Sequence, residues 1–208
     1  MQVYTASCGG EKLKKVVELE MGILISPGRG CKDIKNSGVK IAIDNGAYGS
    51  WTRGFPFMAD VFRSHLADAY KNGVNAQFIV CPDIVAGGLD SLAFSMSWAL
   101  GELLGARLAL AVQDGMKPSN IDQAMLKNFI YIFVGGSIKW KWSTLPEWVK
   151  YAKENNKKIH VGRVGSLNKL EYCEKLGVDS VDSSNYARHD SWDVIETFLE
   201  NPQSKLIT

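Results

Sequence analysis

"KKIHVGRVGSLNKLEYCEKLGVDSVD", residues 157–182, decides how the chain is organised. It opens on a short β-rich apolar run, 158–161, breaks at a glycine-rich turn, and continues through 166–176 with helical periodicity behind the capping residue Ser166. A second β-rich run follows at 179–182. Strand, helix and strand in this order make a crossover unit whose two strands lie parallel.

The same unit recurs upstream. β-rich runs stand at 2–6 (QVYTA), 22–26 (GILIS), 40–44 (KIAID), 77–81 (QFIVC), 107–112 (RLALAV) and 130–134 (IYIFV). Helical stretches are predicted at 11–20, 57–72, 87–105, 118–128 and 143–155, with a last one at 190–199. Pro118 with Ser119, Ser143 to Glu147, and Asp190 with Ser191 supply start signals. Only the connection "PGRGCKDIKNSG" (27–38) is too short and glycine-rich for a full helix. Eight β/α steps, with strands that are apolar runs and not clean alternations, predict an α/β fold: a compact (β/α)8 barrel with shortened loops, forming one domain over residues 1–208. An open doubly wound sheet is the alternative arrangement of the same elements.

Composition fits this reading and narrows function little. With 46% hydrophobic and 22% charged residues the chain suits one domain with a sizeable core, and a net charge of +2 neither announces nor forbids a nucleic-acid partner. Cys8, Cys31, Cys81 and Cys173 are scattered, with no Cys-x-x-Cys or Cys/His cluster, so reduced, mostly buried thiols and no metal are expected. The start "MQVYTASCGGEKLKK" has no apolar leader core, and no apolar run approaches the roughly 18 residues of a membrane span. A cytoplasmic protein without a membrane role is the expectation.

In a parallel barrel the catalytic groups lie where the strands end, so residues far apart in sequence form one ring. The residues leaving each run are Cys8-Gly9-Gly10, Pro27-Gly28, Asp44-Asn45-Gly46, Pro82-Asp83, Gln113-Asp114-Gly115, Gly135-Gly136-Ser137, Gly162 to Ser166, and Asp182. Each alone reads equally as a turn, since Asp and Gly favour turns. Carboxylates at the ends of three strands, Asp44, Asp83 and Asp182, suit glycosidic chemistry, in which one carboxylate attacks or stabilises the anomeric carbon while another exchanges a proton with the leaving group. Gln113 offers a donor and an acceptor to a base edge, and the Gly135-Gly136 backbone offers close approach and N–H donors.

Cations follow the same loops. "HVGRVGS" (160–166) reads either as an anion-binding turn with Arg163 or as a glycine-rich turn with a solvated arginine. Arg188 and His189 come just after the Asp182 loop, where a cation grips a phosphate. "SIKWKWSTLPEW" (137–148) interleaves Lys139 and Lys141 with Trp140, Trp142 and Trp148, which suits single-stranded nucleic acid or the packing of a loop onto a helix. His65, in a helical stretch, and His160, inside a strand, read as structural residues.

Taken in order, "IAIDNGAYGSW", "IVCPDIVAG", "LALAVQDG", "IFVGGSIKW", "IHVGRVGS" and "GVDSVDSSNYAR" resemble the active-site segments of tRNA-guanine transglycosylases and the related phage and bacterial DNA deazapurine transglycosylases. The resemblance covers residues 38 to 188. It implies base exchange without a cofactor: a guanine in a polynucleotide leaves and a 7-deazaguanine such as preQ0 enters. It places the family's nucleophilic aspartate on Asp182, a base-recognising and proton-transferring aspartate on Asp44, and base-reading groups on Asp83, Gln113, Gly135 and Gly136. The flat target base must leave its stack to reach such a site. Asn45 and Ala47 stand where the family has serine and a second glycine, and the segment from Asp182 to Arg188 is shorter than in tRNA enzymes. The family's Cys-rich zinc motif has no counterpart, so the zinc-bearing, tRNA-docking subdomain is expected to be missing. That favours DNA over tRNA as the polymer, with a partner protein or a homodimer possible around it. A catalytically silent nucleic-acid-binding or scaffolding member is the rival reading.

Overall fold

The computed structural model describes residues 1–29, 34 and 36–200. Eight parallel strands close into a barrel in strict sequence order. They are β1 (Gln2–Ala6), β2 (Gly22–Ile25), β3 (Ile41–Ile43), β4 (Ala76–Val80), β5 (Leu108–Val112), β6 (Phe129–Val134), β7 (Lys158–Val161) and β8 (Ser180–Asp182). The barrel closes where β8 pairs with β1, in the register Val3 to Val181 and Tyr4 to Asp182. The (β/α)8 expectation holds, and the open doubly wound alternative falls with this pairing.

Helices follow most of the strands: α1 (Gly10–Glu18), α2 (Ala47–Trp51), α3 (Ala59–Lys71), α4 (Gly88–Leu100), α5 (Gln123–Leu126), α6 (Ile138–Glu154), α7 (Leu167–Leu176) and, after β8, α8 (Asn185–Arg188) and α9 (Trp192–Glu200). The stretch expected as one helix at 118–128 is a 3-10 turn, Pro118–Asn120, followed by the short α5. Part of the Pro27–Gly38 connection, residues 30–33 and 35 with Cys31 among them, lies outside the described residues. No described helix is long and apolar enough to cross a membrane.

The largest correction concerns α6. Its start was expected at Ser143, because Ser143 to Glu147 resembles a capping sequence. The helix instead begins at Ile138, capped by Ser137, whose hydroxyl accepts from the Trp140 N–H at 3.4 Å. Asp114 holds that cap, accepting from the Ser137 N–H and hydroxyl, both at 2.6 Å. Pro146 sits inside the helix. The residues 137–142, read as a loop, are its first turn and a half.

Alternation along the strands divides the core in two. Outward residues such as Ile23, Ile43, Val112, Ile132 and Val161 are buried against the helix layer, each contributing about 1.5–3 kcal/mol. Inward residues form a separate cluster, in which Tyr4, Phe78 and Tyr131 fill the lumen beside Ala42, Ala109 and Ala111. Large rings opposite alanines pack the interior solid, as a barrel of this size requires. Phe78 and Tyr131 lie 4.5 Å apart, and Phe133 stacks on His160 at 4.7 Å. The barrel is thus plugged in its middle, and what can open to a ligand is the mouth above.

Candidate active site

Because all strands run the same way, the residues that follow them share one mouth. Asp44 is reached one step past β3, with its N–H donating to Ile25 O at 2.8 Å. The chain then turns sharply through Gly46, whose φ of +78° is open to glycine at no steric cost.

On this flank Asp83 is buried and Asp44 half-buried. Asp44 accepts from the Ser26 hydroxyl at 2.9 Å, yet its pKa is raised: burial dominates, the Asp182 charge adds to it, and the Ser26 and Gly46 donors oppose. Asp83 accepts from Asn45 Nδ2 at 2.7 Å, and burial, helped by the Asp44 charge, pushes it up to about 6. Asn45 is a brace: Nδ2 also donates to Cys81 O at 2.8 Å, and Oδ1 accepts from the Ala47 N–H at 2.8 Å. One side chain therefore ties the end of β3 to the end of β4. Both carboxyls are thus pushed toward the protonated form, Asp83 as far as about 6.

The β7–β8 flank is built differently. Asp182 ends β8 with its side chain 14% exposed, and His160 Nε2 lies 2.9 Å from Oδ1. The Arg163 N–H points at Oδ2 from 3.5 Å, and the Val164 N–H donates to the Asp182 backbone carbonyl at 2.7 Å. His160 is fully buried, and its Nδ1 lies 2.8 Å from Ser180 Oγ. A carboxylate only accepts, so Nε2 carries the proton and Nδ1 accepts from the serine. Ser180, His160 and Asp182 thus form a polar thread along the inner wall of a largely aromatic and aliphatic lumen. Gly162 leaves room for it, because a Cβ there would meet the Phe133 ring at 2.9 Å and Asp182 Oδ1 at 3.3 Å.

His160, read from sequence as structural, is a buried brace whose partner is Asp182, the candidate nucleophile. Period alone could have signalled this, since His160 on β7 and Ser180 and Asp182 on β8 all occupy inward positions. His65 does read as expected, with Nε2 3.1 Å from Ile25 O.

Residues expected to read a base divide. Gln113, 4% exposed, spends one donor on Ile84 O at 2.8 Å and its carbonyl on the Ala86 N–H at 2.6 Å, so it clasps the loop after β4. The Gly135 N–H continues the β5–β6 ladder to Val112 O at 2.9 Å and is not free to meet a base carbonyl, as had been expected of it. The Gly136 N–H donates to no atom among the described residues.

The cations divide too. Lys141 was expected at a nucleic-acid backbone, but it is 1% exposed, donates to Gly162 O, and is pushed down to about 8, chiefly by burial and then by the Arg163 charge. It supports the loop that carries Arg163. Lys139, two residues earlier on α6, is exposed. Trp148 is fully buried, and Trp140 packs against the apolar core, so the Lys/Trp segment mostly packs a helix. Arg188 ends α8, exposed and without an ion pair among the described residues. Arg163 is exposed, donates to Gly136 O, and lies over the Tyr48 ring, 4.5 Å from its centroid.

Neither the search of protein-family models nor that of curated proteins finds a match to this chain.

Proposed function

We propose that this chain is a base-exchange glycosyltransferase that replaces guanine in DNA by a 7-deazaguanine such as preQ0. The observation that carries the reading is the pairing at one mouth of two carboxyls whose pKa is raised by desolvation, Asp44 and Asp83, with a third, Asp182, that two N–H groups address. Opposed environments of this kind separate an acid from a nucleophile. The ordered resemblance to transglycosylases supports the same assignment.

Asp182 Oδ2 attacks C1′ of the target nucleotide, forming a C–O bond as the C1′–N9 bond breaks; the electron pair leaves with guanine, and a proton from Asp44 or Asp83 neutralises the base. The incoming deazaguanine gives its N9 proton back to that carboxyl, and N9 attacks C1′ and expels Asp182. His160 holds Oδ1 and leaves Oδ2 toward the ribose. The Gly136 N–H is the donor left to meet a base carbonyl. The reading carries with it a cytoplasmic site of action, where bacterial or phage DNA lies.

Incubation with radiolabelled guanine and either duplex DNA or tRNA tests this. Label is expected in DNA and not in tRNA, and is lost in Asp182→Asn. Label in tRNA alone would move the activity to the other polymer. Label in neither, with wild type and variant alike, would leave a binding protein.

A further inference from the structure

Arg163 is held in an unusual way. Its φ is +60°, a region that glycine enters freely and an arginine does not, so the backbone is bent at some cost to aim this side chain. The bend is fixed on both sides, because Arg163 N–H faces Asp182 Oδ2 and Val164 N–H bonds the Asp182 carbonyl. From there the guanidinium crosses to Gly136 O after β6 and lies on Tyr48 after β3. It therefore links the loops after β6 and β3, starting from the residue whose N–H faces the candidate nucleophile.

The contacts that hold it are those a flat, hydrogen-bonding ligand would make. The group is planar, it stacks on an aromatic face, and it donates from its edge to a backbone carbonyl. It has no carboxylate partner within ion-pairing distance among the described residues, whereas Arg63 pairs with both Asp60 and Glu102. Asp114, the acid near enough to feel its charge, is committed to Ser137. Tyr48 is 47% exposed beneath it, with Trp51 5.9 Å farther along. A solvated cation resting on a ring, without an ion pair, is readily displaced and readily taken up by a phosphate.

We infer that the Arg163 guanidinium is a displaceable occupant of the base slot: a purine entering the mouth takes its place on Tyr48 and beside Gly136, and the released cation moves to a phosphate of the strand being modified. The inference rests on the base-exchange reading and adds a coupling to it. Entry of the base frees the group that grips the polymer, and grip on the polymer clears the slot.

The test separates the two halves on the intact chain with Arg163→Gly, which also relaxes the backbone, and Arg163→Lys. Binding of radiolabelled guanine is measured by equilibrium dialysis, and binding of a labelled single-stranded oligodeoxynucleotide by anisotropy across a salt series. Arg163→Gly is expected to bind guanine about two- to fivefold tighter, the worth of an exposed cation–π contact. Its oligonucleotide affinity should fall, with the slope of log affinity against log salt reduced by about 0.7. Arg163→Lys should keep the slope, since it keeps the charge. Guanine binding in Arg163→Gly that is unchanged or weaker, at wild-type melting temperature, overturns the displacement, and an unchanged salt slope overturns the transfer to phosphate. Guanine binding to neither wild type nor variant overturns the base-exchange reading itself, and the inference with it.

Discussion

On the β3–β4 flank of the mouth, Asp83 is buried and Asp44 half-buried, and desolvation raises the pKa of both, whereas on the β7–β8 flank Asp182 faces N–H groups from His160 and Arg163. The residue type is the same, but the surroundings differ. One flank removes carboxyls from water and sets two of them near each other; the other supplies donors and leaves the carboxylate partly open. Under the proposed reaction, that difference would divide labour between proton carrier and nucleophile within one residue type.

Removing Asp182 breaks the comparison most severely. Asp182→Asn keeps the shape and loses the attacking oxygen, and exchange should fall by about a thousandfold or more in a label-incorporation assay. A covalent protein–DNA adduct, which the proposed reaction requires, should appear by intact mass in the wild type and not in the variant. Asp44→Asn comes next: it removes a proton carrier but not the nucleophile, so a loss of about 10² to 10⁴ is expected. Activity of the wild type should also decline as pH rises past about 6, where Asp83 gives up its proton, and Asp83→Asn should flatten that limb. A profile that Asp83→Asn leaves unaltered would take Asp83 out of the proton path.

The proposed positioning role of His160 allows a finer test. His160→Phe preserves packing against Phe133 and deletes the donor to Asp182. The expected outcome is a fall in kcat of up to about a hundredfold, the scale of a misplaced reacting group, with KM for guanine little changed. Ser180→Ala should reproduce a smaller part of it, since Ser180 only fixes the imidazole tautomer. Equal losses in kcat and in folded fraction would reduce His160 to a packing residue.

These two flanks also mark how far the sequence could be read. The barrel was legible because its strands are short apolar runs separated by helical stretches, and that pattern survives errors at element ends. The positions of Asp44, Asp83 and Asp182 at the mouth followed from the same geometry. What sequence could not supply was the second partner of each side chain. Nothing in "QDG" says that Gln113 turns back to clasp Ile84 and Ala86. Nothing in "GGS" says which glycine N–H is already used by the ladder. The misplaced start of α6 had a local cause, a second capping-like sequence around Pro146, and it left Lys141 in a solvent-facing loop when it belongs to the buried face of the helix.

A stability measurement probes the β3–β4 flank without any activity. Asp83 is raised to about 6 in the folded protein against 3.8 ordinarily, so the native state holds a proton that the unfolded chain gives up between those values. The stability it contributes is fully present below about pH 4 and lost as pH rises through about 6, amounting to roughly 2–3 kcal/mol for a group this buried. Asp83→Asn stays neutral throughout and should keep its contact with Asn45. The difference in urea-unfolding free energy between the two proteins should therefore move by that amount in favour of the variant from pH 4 to 8. A constant difference would mean that Asp83 is solvated in the native state.

The smallest effect separates two lysines on one helix. Lys139 is exposed in the first turn of α6, while Lys141 is buried against Gly162. A surface ammonium that meets a phosphate releases about one counterion, whereas a buried one releases none. Lys139→Ala should therefore lower the salt slope of oligonucleotide binding by about 0.7, with only a modest loss of affinity at any one salt concentration. Lys141→Met should leave that slope unchanged and instead disturb the loop holding Arg163, seen as weaker protection of the Arg163 and Val164 amides in hydrogen exchange. If Lys141→Met lowered the slope and Lys139→Ala did not, the α6 start at Ile138 would face the wrong way, and the support it gives the β7–β8 flank would have to come from elsewhere.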